Sequence, residues 1–124
     1  MAQFNDVLFD AAANVIKNST ETLYILSGDP GLTWENIATM GIGSKSGPTI
    51  SAPVALAGGG SKATVAAIAD GLVTAAGTNN AQYYALTDDS ASLILVSGSL
   101  GAAKDVVNGN PFTTTEFDIN FPSV

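Results

Sequence analysis

Three residue types that carry much of protein chemistry are missing from these 124 residues. There is no cysteine and no histidine, and the four basic residues are all lysine: Lys17, Lys45, Lys62 and Lys104. Without cysteine there is no disulfide, no thiolate nucleophile and no thiolate metal site. Without histidine the usual general base near neutral pH is gone, along with the commonest metal ligand and every Ser-His-Asp or Cys-His arrangement. Without arginine, no side chain can clamp a phosphate or carboxylate through two parallel bonds. No apolar run approaches the roughly 18 residues that a membrane span needs. The opening Met-Ala-Gln-Phe-Asn-Asp has no basic region ahead of an apolar stretch, so no secretory signal is read there and synthesis and folding in a cytoplasm are expected.

What is present is acid and small apolar residues. Eleven acids against four lysines give a net charge of −7. That sign repels nucleic acid, whose phosphates are bound mainly by Lys and Arg, and anionic membranes. Neither is expected as a partner. The acids are scattered along the chain, as charges that serve solubility are. Hydrophobic residues make up 46%, enough for a packed globule rather than disorder. The length suits a single domain spanning 1–124, able to bury roughly two-thirds of its unfolded surface.

The period of the apolar residues divides the chain into a helix at 1–19 and a β-rich body at 21–124. Phe4, Val7, Leu8, Ala11 and Val15, with Ala12 and Ile16 beside them, recur at helical spacing. Asn5 or Asp6 suits the N-terminal cap, and Lys17 the C-terminal end. The stripe is expected to face the chain's own core, the commoner fate, or else to dock on a neighbouring subunit. Thr22–Leu26 reads as a strand closed by the Gly28-Asp29-Pro30-Gly31 turn. Thr33 suits the cap of a short helical turn that aims Trp34, Ile37 and Met40 one way. A Gly/Pro-rich loop is expected at 41–61, with an edge or extended piece at Thr49–Ala52 between Pro48 and Pro53.

Strand signals then become regular. Lys62–Ile68 and Leu72–Ala76 read as a hairpin about Asp70-Gly71. Gly77–Asn80, Asp88–Ser90 and Asn108–Pro111 read as further turns, bounding strands at Ala81–Thr87 and Ser92–Ser97. In the last segment Phe117, Ile119 and Phe121 face one side, and Glu116, Asp118 and Asn120 the other. The sum is a mainly β fold: an antiparallel sandwich or barrel of about seven strands with one N-terminal helix.

No constellation completes a chemical signature. Gly58-Gly59-Gly60-Ser61-Lys62 fails the spacing of a phosphate-binding loop, because Ala63 stands where Ser or Thr is required after the lysine. Asp88-Asp89-Ser90 offers too few oxygens for calcium and suits a turn. No cofactor, metal ligand or catalytic residue is assigned, and the chain is read as not an enzyme. Trp34, Tyr24, Tyr83 and Tyr84 are the aromatics that a carbohydrate platform would use, but Tyr83 and Tyr84 are adjacent on a strand and so face opposite sides, one expected in the core and one in solvent.

Several segments resemble a broad family of small tailed-phage virion proteins. They are Phe4–Ala12 running on into Thr22–Ser27, Ala85–Ser90 leading to Leu93–Val96, Val106–Thr113, and Phe117–Pro122. The likeness runs along most of the chain in order and is weakest from Gly41 to Gly60. It implies a structural part of a virion, assembled in the host cytoplasm, and carries no catalytic residues. The leading expectation is a head decoration, or cement, protein that binds the major capsid protein or other virion proteins and forms a homo-oligomer. A tail or neck protein and a carbohydrate- or receptor-binding module are the alternatives. Expected contact residues are Phe4, Val7 and Leu8 of the helix, Trp34, and the adaptable Gly58, Gly59 and Gly60.

Overall fold

A computed structural model of the chain describes residues 6–56 and 59–122. Helix α1 (Asp6–Ser19) comes first, with Lys17 in its last turn. Nine strands follow among the described residues: β1 (Thr22–Leu26), β2 (Gly41–Ser46), β3 (Val54–Ala55), β4 (Gly60–Val65), β5 (Ile68–Val73), β6 (Thr78–Asp88), β7 (Leu93–Val107), β8 (Pro111–Thr114) and β9 (Phe117–Pro122). A short helix, α2 (Glu35–Met40), lies between β1 and β2. One sheet has six strands in the order β7-β6-β1-β2-β5-β8, and the other has three in the order β3-β4-β9. Every pairing is antiparallel. The fold is therefore mainly β and sandwich-like, with an N-terminal helix.

Side-chain alternation along β1 explains the layers. Leu23 and Ile25 enter a large core with Ile42, Val65, Val73, Leu86, Phe112 and Ile119. Leu26, on the other face, joins a smaller cluster with Ile37, Ala85 and Ile94. The small sheet and α1 cover the first face, and α2 covers part of the second. Each Leu or Ile so buried contributes about 1.5–3 kcal/mol of transfer free energy. The alternation expected in the last strand holds: Ile119 is buried with Phe117 and Phe121 packed beside it, while Asp118 and Asn120 are exposed.

Helix α1 packs on its own domain, and of the expected stripe Ile16 faces inward while Leu8, Ala11 and Val15 do not. Ala13 and Ile16 are buried, whereas Leu8 and Val15 are 55% and 50% exposed. The helix is rotated so that Ala13 and Ile16 meet the small sheet. A polar tie accompanies this choice, because the buried Ser61 hydroxyl of β4 donates to the Asp10 carboxylate of α1. The cap expected at Asn5 or Asp6 lies outside the described residues and side chains.

Most other departures share one cause, which is that strand pairing overrides local turn chemistry. The expected loop at 41–61 begins with β2, an interior strand paired with both β1 and β5. Its glycines fit because the backbone runs close: a Cβ at Gly43 would lie 2.5 Å from the Leu72 carbonyl oxygen. Asp70-Gly71 is not a hairpin turn but the middle of β5, and Gly71 pairs with Phe112, whose ring covers it. The Lys62–Ile68 strand divides after Val65, and the chain crosses there from the small sheet to the large one. The Gly77–Asn80 turn sits earlier, since β6 begins at Thr78. Leu93–Ser97 and Val106-Val107 belong to one 15-residue strand, β7, and Ser92 stands just ahead of it. Thr33 does not cap α2. Trp34 holds the cap position without a side-chain bond, and the Asn36 amide ties the helix start to the Pro30 carbonyl at 3.1 Å. The extended piece at 49–52 is present, with Ile50 bridging to Val65.

Gly43→Ala should therefore destabilise the fold by about 1–3 kcal/mol, the usual cost of overpacking. Ser46→Ala, at the exposed end of the same strand, should stay within about 0.5 kcal/mol. Urea unfolding of the two variants checks this, and equal, negligible costs would return 41–46 to a loop.

Candidate functional site

The expected contact residues do not form one patch. Phe4 and Gly58 lie outside the described residues, and Val7 lies in α1 with its side chain likewise outside. Leu8 is exposed on α1, in line with exposed Ala11 and Val15 at helical spacing. Gly59 precedes β4, and Gly60 is its buried first residue, paired with Pro122. Helix α1 and β4 are in contact, so Leu8 and these glycines belong to one side of the sandwich. Trp34 belongs to the other, where it packs with Tyr24, Met40 and Tyr83 on the smaller cluster.

On the α1 side the described residues leave an apolar stripe exposed. Leu8, Ala11 and Val15 fall three and four residues apart, and the helix is held from behind by Ala13, Ile16 and the Asp10–Ser61 bond. A stripe carried on a helix anchored by its opposite face is a rigid surface for protein contact.

On the opposite side lies a concavity of about 570 Å³, lined by Tyr24, Trp34, Glu35, Ala38, Ser44 and Thr74 among others. It combines two aromatic side chains with a carboxylate and hydroxyls. Tyr84 takes no part, since it packs against Phe117 in the main core, ring centroids 4.6 Å apart. Tyr83 and Tyr84 do point to opposite faces, yet both are half-buried, because each face of the large sheet is covered where they lie.

A third cluster sits at the β6–β7 turn. Asp89 accepts from the Thr22 hydroxyl at 2.6 Å and the Thr87 hydroxyl at 2.7 Å. Asp88 accepts from the Ala91 N–H at 3.3 Å and so caps the short 3-10 turn Asp89–Ala91. Glu21 accepts from the Ser90 N–H at 3.2 Å. The Ser90 side chain, then Asp88, then that N–H hold the Glu21 carboxyl below its usual range. Burial, reinforced by the charge of Asp89, pushes the Tyr24 phenol up. These acids are committed to the turn that joins the two longest strands. Among the described residues no group of three acids is placed to hold a metal ion. No described helix is long and apolar enough to cross a membrane.

No family model, curated protein or solved structure matches this chain. Sequence reasoning singled out Leu8 and Trp34 but missed what anchors them, Ser61 with Asp10 on one side and Asn36 with Pro30 on the other. No motif signals these pairs; the first spans 51 residues of chain.

The acid limb of stability follows from two carboxyls. Asp118 is held low by the Thr64 hydroxyl at 2.7 Å, against the opposing effect of burial, with Lys62 adding to the lowering. A depressed folded-state value contributes stability that is complete above the unfolded value and is lost as pH falls through the folded one. Urea midpoints should therefore hold from neutral pH to about pH 5 and fall below about pH 4. The double variant Glu21→Gln/Asp118→Asn should start lower at pH 7 and lose less on acidification. Parallel slopes for the two proteins would show that these carboxyls do not set the acid limb.

Proposed function

We propose that this chain is a non-enzymatic structural protein of a tailed-phage virion, and that it decorates the outer surface of the head by binding the major capsid protein. The observation that carries the reading is the uncovered Leu8–Ala11–Val15 stripe on a helix locked to the body from behind. Such a surface suits docking on a preformed lattice without refolding of either partner. The net charge of −7 favours the outside of a shell over the face that meets packaged DNA. Binding of this kind stabilises the lattice by mass action, because only the assembled form offers the site. Copies of the chain would gather about lattice axes as symmetric oligomers.

The test is a cryo-EM map of the intact particle, joined to add-back of purified protein to heads that lack it. Density on the outer head, with α1 against the capsid protein, is the expected result. Leu8→Asp/Val15→Asp should bind at least tenfold more weakly with a much smaller effect on the urea midpoint, since the two side chains are 55% and 50% exposed in the free protein. Density along the tail alone would replace decoration with a tail or neck role.

A second reading is favoured by the concavity that Trp34 and Tyr24 line, which suits a sugar ring stacked on an aromatic face with polar groups at its rim. Glycan-array binding that Trp34→Ala abolishes would establish receptor binding. A blank array with the wild-type protein would remove it.

A further inference from the structure

The large sheet curls so that its two edges approach each other. β7 and β8 stand at opposite ends of the strand order, yet they are joined by the turn at Asn108–Asn110. The Lys104 ammonium of β7 donates to the Thr113 carbonyl of β8 at 3.1 Å. Between these edges and the start of β9 lies a cavity of about 330 Å³. Its volume falls within the span of about 300–1,000 Å³ typical of small-molecule sites.

The lining is graded from dry to wet. Ile25, Ala81 and Phe112 form the floor and are 1%, 2% and 3% exposed. Tyr84 and Phe117 are half-buried walls, and Lys104, Thr113 and Thr115 are exposed at the mouth. Two polar groups there lack the partners that such groups usually have. The Thr114 hydroxyl is buried and makes no hydrogen bond among the described residues. Lys104 has no carboxylate within ion-pair distance among the described residues, in a chain where acids outnumber lysines eleven to four. Asp118, also at the mouth, is engaged by Thr64 at 2.7 Å and by Lys62 at 3.5 Å. Of the charged residues described in the lining, the one left without an ionic partner is positive.

We propose that this cavity binds a small apolar carboxylate, with its hydrocarbon on Ile25, Ala81, Tyr84 and Phe112 and its carboxylate on Lys104 and the Thr114 hydroxyl. At about 30 Å³ for each water-sized group, the space takes roughly ten non-hydrogen atoms, the size of octanoate. This site is separate from the α1 stripe and does not depend on the virion reading.

Titration of the isotopically labelled full chain with octanoate, followed by amide chemical shifts, tests it. Saturable shifts confined to Ala81, Leu100, Lys104, Phe112–Thr114 and Phe117 are expected. Lys104→Gln should weaken octanoate about fivefold, the scale of a half-exposed ion pair, and leave octan-1-ol unchanged. Val106→Trp, which fills the cavity from a half-buried position, should abolish both while its spectrum stays dispersed. Shifts that do not saturate, shifts that map elsewhere, or equal losses of acid and alcohol in Lys104→Gln would each overturn the proposal.

Discussion

Everything in this molecule hangs on one strand that is buried on both faces. β1 is only five residues long, but it lies between β2 and β6 and gives Leu23 and Ile25 to one core and Leu26 to another. A strand in that position can expose no backbone group and tolerate no charge on either face. Its neighbours inherit the constraint. β2 must come close enough to pair, and Gly43 allows it; β6 must present Leu86 to one side and Ala85 to the other.

Polar groups at the sandwich ends follow the same logic. Where β1 begins, the Thr22 hydroxyl donates to Asp89, which also accepts from the Thr87 hydroxyl across the β1–β6 pair. Asp89 thus joins the start of the central strand to the turn of the longest hairpin. The acids of that region serve the turn: Asp88 and Glu21 accept from backbone N–H groups, and Asp89 from two hydroxyls. At the opposite pole the small sheet is held by the Asp10–Ser61 bond and by the Thr64–Asp118 pair across β4 and β9.

Much of the architecture could be read before any coordinates, because period is a local property. The two-residue alternation at Phe117–Phe121 and the helical spacing at 6–19 each reflect nearby residues meeting a common environment. What was illegible was non-local. Gly43 looks like a loop residue until β5 is seen pressed against it, as does Gly41 until the Ile37 carbonyl is seen beside it, and Asp70-Gly71 looks like a turn until Phe112 covers it. The helix taught the same lesson about the candidate surface. Counting apolar bulk selects Leu8 and Val15 as the inward face, but among the described side chains of the helix it is Ala13 and Ile16 that are buried, and Leu8 and Val15 are left half-exposed. Trp34 was legible as a residue of note, though not that Tyr24 rather than Tyr84 would share its side of the sheet.

The strand order also sets a timetable. β1 finds its partner β6 more than fifty residues later, and β4 finds β9 only at 117–122, the last strand described. Such distant pairing makes closure slow relative to helix formation. As the chain leaves the ribosome, α1 and the apolar side of β4 emerge long before the strand that completes their sheet. Through that interval they depend on solubility rather than on structure, and the acids spaced along the intervening residues give the nascent chain a means of staying apart from its neighbours until β9 arrives.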